Sequence, residues 1–255
     1  MGRPLQNSLW QKVGRALADY QMIQDGDHIA VSVSGGKDSV ALLYVLSEIR
    51  RYAPVRFELE AITLDLGLRM DFSPLVRFTE RIGVPFHLVK TEIARIIFEI
   101  RHEKNPCSLC SKLRNGALHN QAKELGCNKV ALGHHADDAV ETLLMSMFFE
   151  GRIHTFQPKS FLDRKEITII RPLVYVREKT LQEAAEIFDL PVIANHCPAD
   201  KQTKRHEIKA LLDRLEREIP DLRDNLLRSL QNVDYERLWV LKDEGIQDPA
   251  PPGPA

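Results

Sequence analysis

The chain has 255 residues, 44% of them hydrophobic, which is enough to bury a sizeable core and argues against global disorder. Its 35 basic and 36 acidic residues leave a formal net charge of −1, so the total charge neither predicts nor excludes a nucleic-acid partner. No stretch approaches the run of about twenty apolar residues that a membrane-spanning helix needs, and no apolar signal core opens the chain, so no membrane association and a cytoplasmic location are expected.

Trp10, Val13, Leu17 and Tyr20 recur at helical spacing and predict an amphipathic helix within residues 1–26. HIAVSVS (28–34) reads as a buried strand that runs into a glycine turn, and 40–50 as the helix that follows. A second strand is expected over 57–65, a helix over 74–82, and a third strand over 86–92. A helical stretch over 108–125 leads into a fourth strand, KVALGHH (129–135), and then an apolar, buried helix over 139–149. A fifth strand over 167–173 and a helix over 179–190 complete the alternation. The order predicts an α/β fold: a doubly wound parallel sheet over residues 27–200, with its site at the carboxyl ends of the strands. Small helical appendages flank it, the N-terminal helix on one side and helices near 204–217 and 221–231, within residues 201–232, on the other. The tail, 233–255, ends in a proline-rich stretch expected to be disordered.

Ser34-Gly35-Gly36-Lys37-Asp38-Ser39 sits where the first strand hands over to a helix. Glycines there let backbone N–H groups converge on an anion, the helix start adds a favourable dipole, and the two serine hydroxyls can complete the cradle. The Gly-Lys-Ser/Thr ending of a Walker loop is absent. The segment resembles the SGGxDS loop of PP-loop ATP pyrophosphatases, which implies that ATP is held by its pyrophosphate with the α-phosphorus open to attack, and gives Lys37 and Asp38 catalytic parts.

Gly133-His134-His135-Ala136-Asp137-Asp138 follows the fourth strand, with Glu141 and Thr142 one turn further on. In a doubly wound sheet this turn opens beside the first, so Gly133, His134, Asp137 and Asp138 can face the same nucleotide. The two aspartates could hold Mg²⁺, or Asp138 could cap the helix with Glu141 completing a capping box. GHHxDDxxET resembles the second motif of PP-loop tRNA-modifying enzymes, both thiolases and lysidine synthetases. By the same resemblance the second strand's end, with Thr63 and Asp65, is where adenine would lie.

Cys107 and Cys110 open a helix in a CxxC spacing, with Lys112 and Arg114 close behind, and Cys197 follows about ninety residues later. The spacing lets two thiolates point at one metal or cluster, and the helix start and basic neighbours are expected to lower the thiol pKa values. Cys127 has no partner spacing and reads as a buried or incidental thiol. SGGKDS, PCSLCSKLRNGAL, ALGHHADDAVETLLMSMFFEGR and IIRPLVYVREK together resemble one family, the tRNA 2-thiocytidine synthetases, over roughly residues 8–230. The resemblance implies that Cys107, Cys110 and Cys197 hold a 4Fe–4S cluster with one iron left open, and that Arg114 belongs to the cofactor site. It implies ATP and Mg²⁺ as cofactors, a tRNA substrate, a cysteine desulfurase or other sulfide source as sulfur donor, and a homodimer. The competing metal is zinc, held by the three cysteines with His102 or His196.

Lys201, Lys204, Arg205 and Lys209 form a basic run, and Lys159, Arg164 and Lys165 a second patch expected in a loop. RNA phosphates would suit both, and so would a solvated face. Three other functions remain open: a lysidine-type ligase, a zinc-stabilised RNA-binding protein without catalysis, and sulfur chemistry on a free small molecule.

Overall fold

A computed structural model describes residues 2–103 (2–7 as backbone only), 106–194, 197–198 and 204–239. The elements are α1 (Gly2–Asp19), β1 (Asp27–Ser32), α2 (Lys37–Ile49), β2 (Phe57–Asp65), α3 (Ser73–Ile82) and β3 (Phe86–Lys90). A short α4 (Ile93–Arg95) continues as a π-helical turn, and α5 (Pro106–Glu124), β4 (Lys129–Ala131) and α6 (Ala136–Met145) follow. The chain then forms β5 (Lys159–Leu162), β6 (Ile167–Ile170), α7 (Glu178–Ile187), α8 (Lys204–Leu215) and α9 (Leu222–Ser229).

The sheet order is β3-β2-β1-β4-β6-β5, parallel throughout except for β5, which pairs antiparallel with β6 at one edge. The five expected strands are the five parallel ones. The sixth was not anticipated: KSFL is short and weakly patterned, and the patch that contains it reads as a loop until its pairing with β6 is seen.

Both faces of the sheet are covered, and the strand period of two distributes the side chains. Ile29, Val31, Leu59, Ala61, Ala131 and Ile170 point into a core shared with α1, α2, α3 and α7. Ala30, Ile62, Val130, Ile167 and Ile169 point the other way, against Leu118 and Ala122 of α5. Cys127 is buried in this second core, and burial pushes its thiol up to about 12, as befits an inert core side chain. A third apolar cluster joins Val140 and Leu144 of α6 to Ile208 and Leu212 of α8, with leucines of α9 against it. The C-terminal helices are thereby packed onto the α/β core beside the fourth strand's turn. No described helix is long and apolar enough to cross a membrane.

Strand order reverses between the parallel neighbours β1 and β4: the chain goes from β1 to β2 on one side and from β4 to the β5–β6 pair on the other, and a crevice forms at their carboxyl ends.

Candidate active site

The glycine turn after β1 is held by its own serines. Ser39 Oγ donates to the Gly36 carbonyl at 2.9 Å and accepts the Ser34 N–H at 3.1 Å, while the two serine hydroxyls lie 3.1 Å apart. Gly35 has φ +87°, where any side chain is strained, and a Cβ would meet Ile193 at 3.1 Å. The helix starts at Lys37, three residues ahead of its expected first residue, so Lys37 and Asp38 form the first turn of α2.

Gly133 closes the turn from the other side. A Cβ there would stand 3.2 Å from Ser39 N and Cα, both backbone atoms, so only glycine lets β4 approach the loop this closely. One residue on, His134 stacks on Phe156 with ring centroids 4.9 Å apart, and its Nδ1 lies 3.4 Å from Arg171 Nε. Burial lowers the His134 pKa to about 4, with nearby Arg171 and Arg205 acting in the same direction, so the ring is neutral at physiological pH.

Lys37 Nζ bonds Glu178 Oε1 at 2.9 Å and lies 3.3 Å from Asp38. Glu178, the first residue of α7, is also bonded by Lys209 of α8. Burial alone would raise the Glu178 pKa, but the hydrogen bonds from Lys209 and Lys37 outweigh it and hold the carboxyl at about 2. Burial lowers the Lys37 pKa as well; Asp38 and Glu178 more than offset this and leave it above its ordinary value. Asp38 moves up because burial outweighs His135 and Lys37. Its Oδ1 is buried and makes no hydrogen bond, lying 3.3 Å from Lys37 Nζ but off the bonding direction.

Asp137 and Asp138 are differently placed from the expected metal pair. α6 starts a turn earlier than the sequence suggested, so His135 is its cap: the His135 side chain accepts the Asp138 N–H and Asp138 accepts the His135 N–H. Asp137 is buried and fully engaged. Arg177 Nε donates to Oδ1 at 3.1 Å, Arg223 pairs with the same oxygen at 3.3 Å, and the Glu178 N–H donates to Oδ2 at 2.7 Å. A magnesium ion on Asp137 would have to displace these partners, so the carboxylate acts as an internal hub that ties α6 to α7 and α9. Thr63 is likewise occupied, its hydroxyl donating to the Val33 carbonyl at 2.7 Å within the sheet, and Asp65 accepts the Gly67 N–H at 2.9 Å.

A cavity of about 700 Å³ occupies the crevice. Ser34, Gly36, Asp38 and Ser39 form its floor, and Leu64, Leu66, Leu68, Ile97 and Phe98 an apolar side toward β2. Gly133, His134, Phe156 and Arg171 line the side toward β4 and β6, and Cys107, Cys110, Arg114 and Cys197 line it as well. The sequence assigned no role to Arg171, Phe156 or Phe98; only the sheet order brings them to the loop. Cys110 departs from expectation. Burial raises its pKa, and although Arg114 lowers it, the neighbouring Cys197 and Cys107 raise it further, so the lowering expected at a helix start does not prevail. Among the described residues no three His, Cys, Asp or Glu side chains yet surround a single point. His102 is exposed and does not line the cavity, and His196 lies outside the described residues.

The basic run is spent internally. Arg205 bonds Asp138, Glu141 and Thr142, Lys209 bonds Glu178, and Lys204 pairs with Glu207 one turn away. Arg205 fastens α8 to the turn after β4 and Lys209 fastens it to the start of α7, whereas Lys204 is exposed and pairs within its own helix. In the second patch, Lys159 is on the edge strand and donates to the Gln21 carbonyl, while Lys165 donates to Asn120. Lys201 and the proline-rich end lie outside the described residues.

A PP-loop domain model matches residues 5–215. The tRNA-cytidine(32) 2-sulfurtransferase of Pelobacter propionicus is 44% identical over 247 residues, 95% of this chain and 92% of the relative. That of Geobacter sulfurreducens is 46% identical over 242 residues, 92% and 93% of the two chains. Among solved structures, the U34-tRNA thiolase NcsA of Methanococcus maripaludis, determined with its 4Fe–4S cluster, superposes with a TM-score of 0.75 at 24% identity, covering 89% of this chain and 78% of that one, a likeness of fold.

Proposed function

The chain belongs to the tRNA-cytidine(32) 2-sulfurtransferase family of PP-loop proteins, and from that premise we propose that it thiolates a tRNA cytidine with ATP. The observation that carries the proposal is a single cavity lined both by the phosphate-type loop and by Cys107, Cys110 and Cys197. A lysidine-type ligase has no use for the three sulfurs, and a non-catalytic RNA-binding protein has no use for the loop.

In this reaction the Ser34–Ser39 turn holds the pyrophosphate portion of ATP on its N–H groups and hydroxyls. Lys37, at the start of α2 and positioned by Glu178, neutralises phosphate charge. The buried Asp38 oxygen that lacks a hydrogen bond suits Mg²⁺, which would shield charge at the phosphates. Adenine lies along the apolar side built from Leu64, Leu66, Leu68 and Phe98. The target cytidine leaves its stack in a single-stranded loop, position 32 by the relatives' name, to enter the same cavity. Its C2 oxygen attacks the α-phosphorus, pyrophosphate departs, and the oxygen leaves as AMP when sulfur replaces it.

The donor set of three thiols around one cavity fits an iron–sulfur cluster, and Cys110 is within electrostatic reach of both other sulfurs. A 4Fe–4S cluster held by Cys107, Cys110 and Cys197 would supply an iron without a protein ligand, on which sulfide can be carried. Arg114 stands beside Cys110 and offsets thiolate charge. The sulfur originates from a cysteine desulfurase or another sulfide source in the cytoplasm.

Protein purified without oxygen should contain about four irons per chain. Cys107→Ala and Cys197→Ala should lose them, and Cys127→Ala should keep them. Wild-type protein should release pyrophosphate only when both ATP and unmodified tRNA are present. Zinc in place of iron, with no tRNA-dependent pyrophosphate release, would refute the proposal.

A further inference from the structure

The cations around the crevice are almost all matched. Lys37 and Lys209 share Glu178, Arg177 and Arg223 share Asp137 and Glu216, and Arg205 sits between Asp138 and Glu141. Arg171, which directly follows β6, has no such match. Among the described residues no carboxylate pairs with it, although it is half-buried and lines the cavity. Its guanidinium lies over the Phe156 ring, 5.1 Å from the centroid, Nε reaches His134 Nδ1 at 3.4 Å, and Nη1 donates to the Gln157 carbonyl at 2.6 Å.

Each of those partners is neutral. Phe156 offers a π face, Gln157 a backbone oxygen, and His134 is uncharged, so none of the three supplies a counter-charge. Desolvation pulls the Arg171 pKa down to about 10, which still leaves it cationic at physiological pH. The contacts fix the orientation of the guanidinium plane and leave three of its five N–H groups without a protein partner among the described residues. Because Gly133 touches the Ser39 backbone, the side of the cavity that carries His134 and Arg171 abuts the phosphate-type loop directly.

We propose that Arg171 is the anion-binding side chain of the β4–β6 side of the cavity and takes a phosphoryl oxygen of a substrate, with Phe156, His134 and the Gln157 carbonyl as the frame that aims it. This assignment rests on the reading of the cavity as an ATP and RNA site. The phosphoryl oxygen belongs either to ATP or to the RNA backbone; the chemistry of recognition is the same. A half-buried cation without a counter-charge is less well solvated in the empty protein and gains when the anion arrives.

That asymmetry supplies the test. Arg171→Met keeps length and apolar contact but removes the charge, and Arg171→Lys keeps the charge but loses the fork. For both variants the thermal midpoint, the Kd for ATP·Mg²⁺ without tRNA, the Kd for tRNA without ATP, and the single-turnover rate of pyrophosphate release would be measured. Arg171→Met should melt no lower than wild type while losing about ten-fold or more in at least one binding or rate measurement, with Arg171→Lys between. A loss in ATP affinity, or in pyrophosphate release alone, identifies the nucleotide's phosphate. A loss in tRNA affinity, with the salt dependence of log Kd shallower by about one, identifies the RNA backbone. Wild-type values throughout, or a fall in stability with function lost only in proportion to unfolding, would overturn the assignment. Wild-type protein that binds neither ATP nor tRNA would instead overturn the function on which it rests.

Discussion

Replacing Glu178 with Gln should both weaken the fold and loosen the phosphate-type loop. The carboxylate is bonded by Lys37 at the start of α2 and by Lys209 of α8, so it joins three elements that are distant in sequence. Its pKa falls from an ordinary 4.5 to about 2 despite burial. A displacement of that size corresponds to about 3 kcal/mol of stability for the ionised form. Lys209 is 40% exposed and water screens part of its attraction, so about 2 to 3 kcal/mol is expected at pH 7. The sign follows from the direction of the shift. A depressed carboxyl pKa stabilises the fold above the unfolded value of 4.5, and this contribution is lost as pH falls toward about 2. Urea unfolding followed by circular dichroism should show Glu178→Gln less stable by that amount at pH 7, with the gap roughly halved at pH 3. ATP affinity should fall as well, because Lys37 loses the partner that sets its position. A variant as stable as wild type at pH 7, or a gap of the same size at both pH values, would refute the reasoning.

Gly133→Ala places a Cβ against the Ser39 backbone, so the loop must shift. We expect a loss of about 1 to 3 kcal/mol in a denaturant titration and weaker ATP binding, whereas an unchanged Kd would show that the loop tolerates the contact. Asp137→Asn removes the charge shared by Arg177 and Arg223, and should cost about 3 kcal/mol or more. Its signature is faster amide exchange in α9 and the start of α7; exchange equal to wild type would mean that Asp137 is not the hub.

Much of the site was legible because its chemistry is local. A glycine pair between a buried strand and a helix has one strong physical use, and the residues of SGGKDS carry it within six consecutive positions. The parallel strands were legible for a similar reason: a strand covered on both faces is a continuous apolar run bounded by turns. The edge strand β5 has neither property, and so it read as a loop. The start of α6 was misplaced because three of four successive residues there, His135, Asp137 and Asp138, can accept a hydrogen bond at a helix start, and only the observed bonds show which of them caps. For Cys110 the local rule did not prevail: burial, and then the neighbouring Cys197 and Cys107, raise its pKa against Arg114.

By itself the sequence determined the doubly wound order of elements, a glycine turn suited to an anion, and a CxxC pair with one later cysteine. The tertiary structure decided which charges are satisfied. Lys37 meets Glu178 across 141 residues and Arg205 meets Asp138 across 67, so an arginine of the basic run that could have faced RNA holds a helix in place. Arg171, to which the sequence assigned no role within IIRPLVYVREK, lines the cavity without a carboxylate partner among the described residues. Whether a charge is paired depends on its neighbours in space and on the water it has lost, and neither is encoded in local spacing.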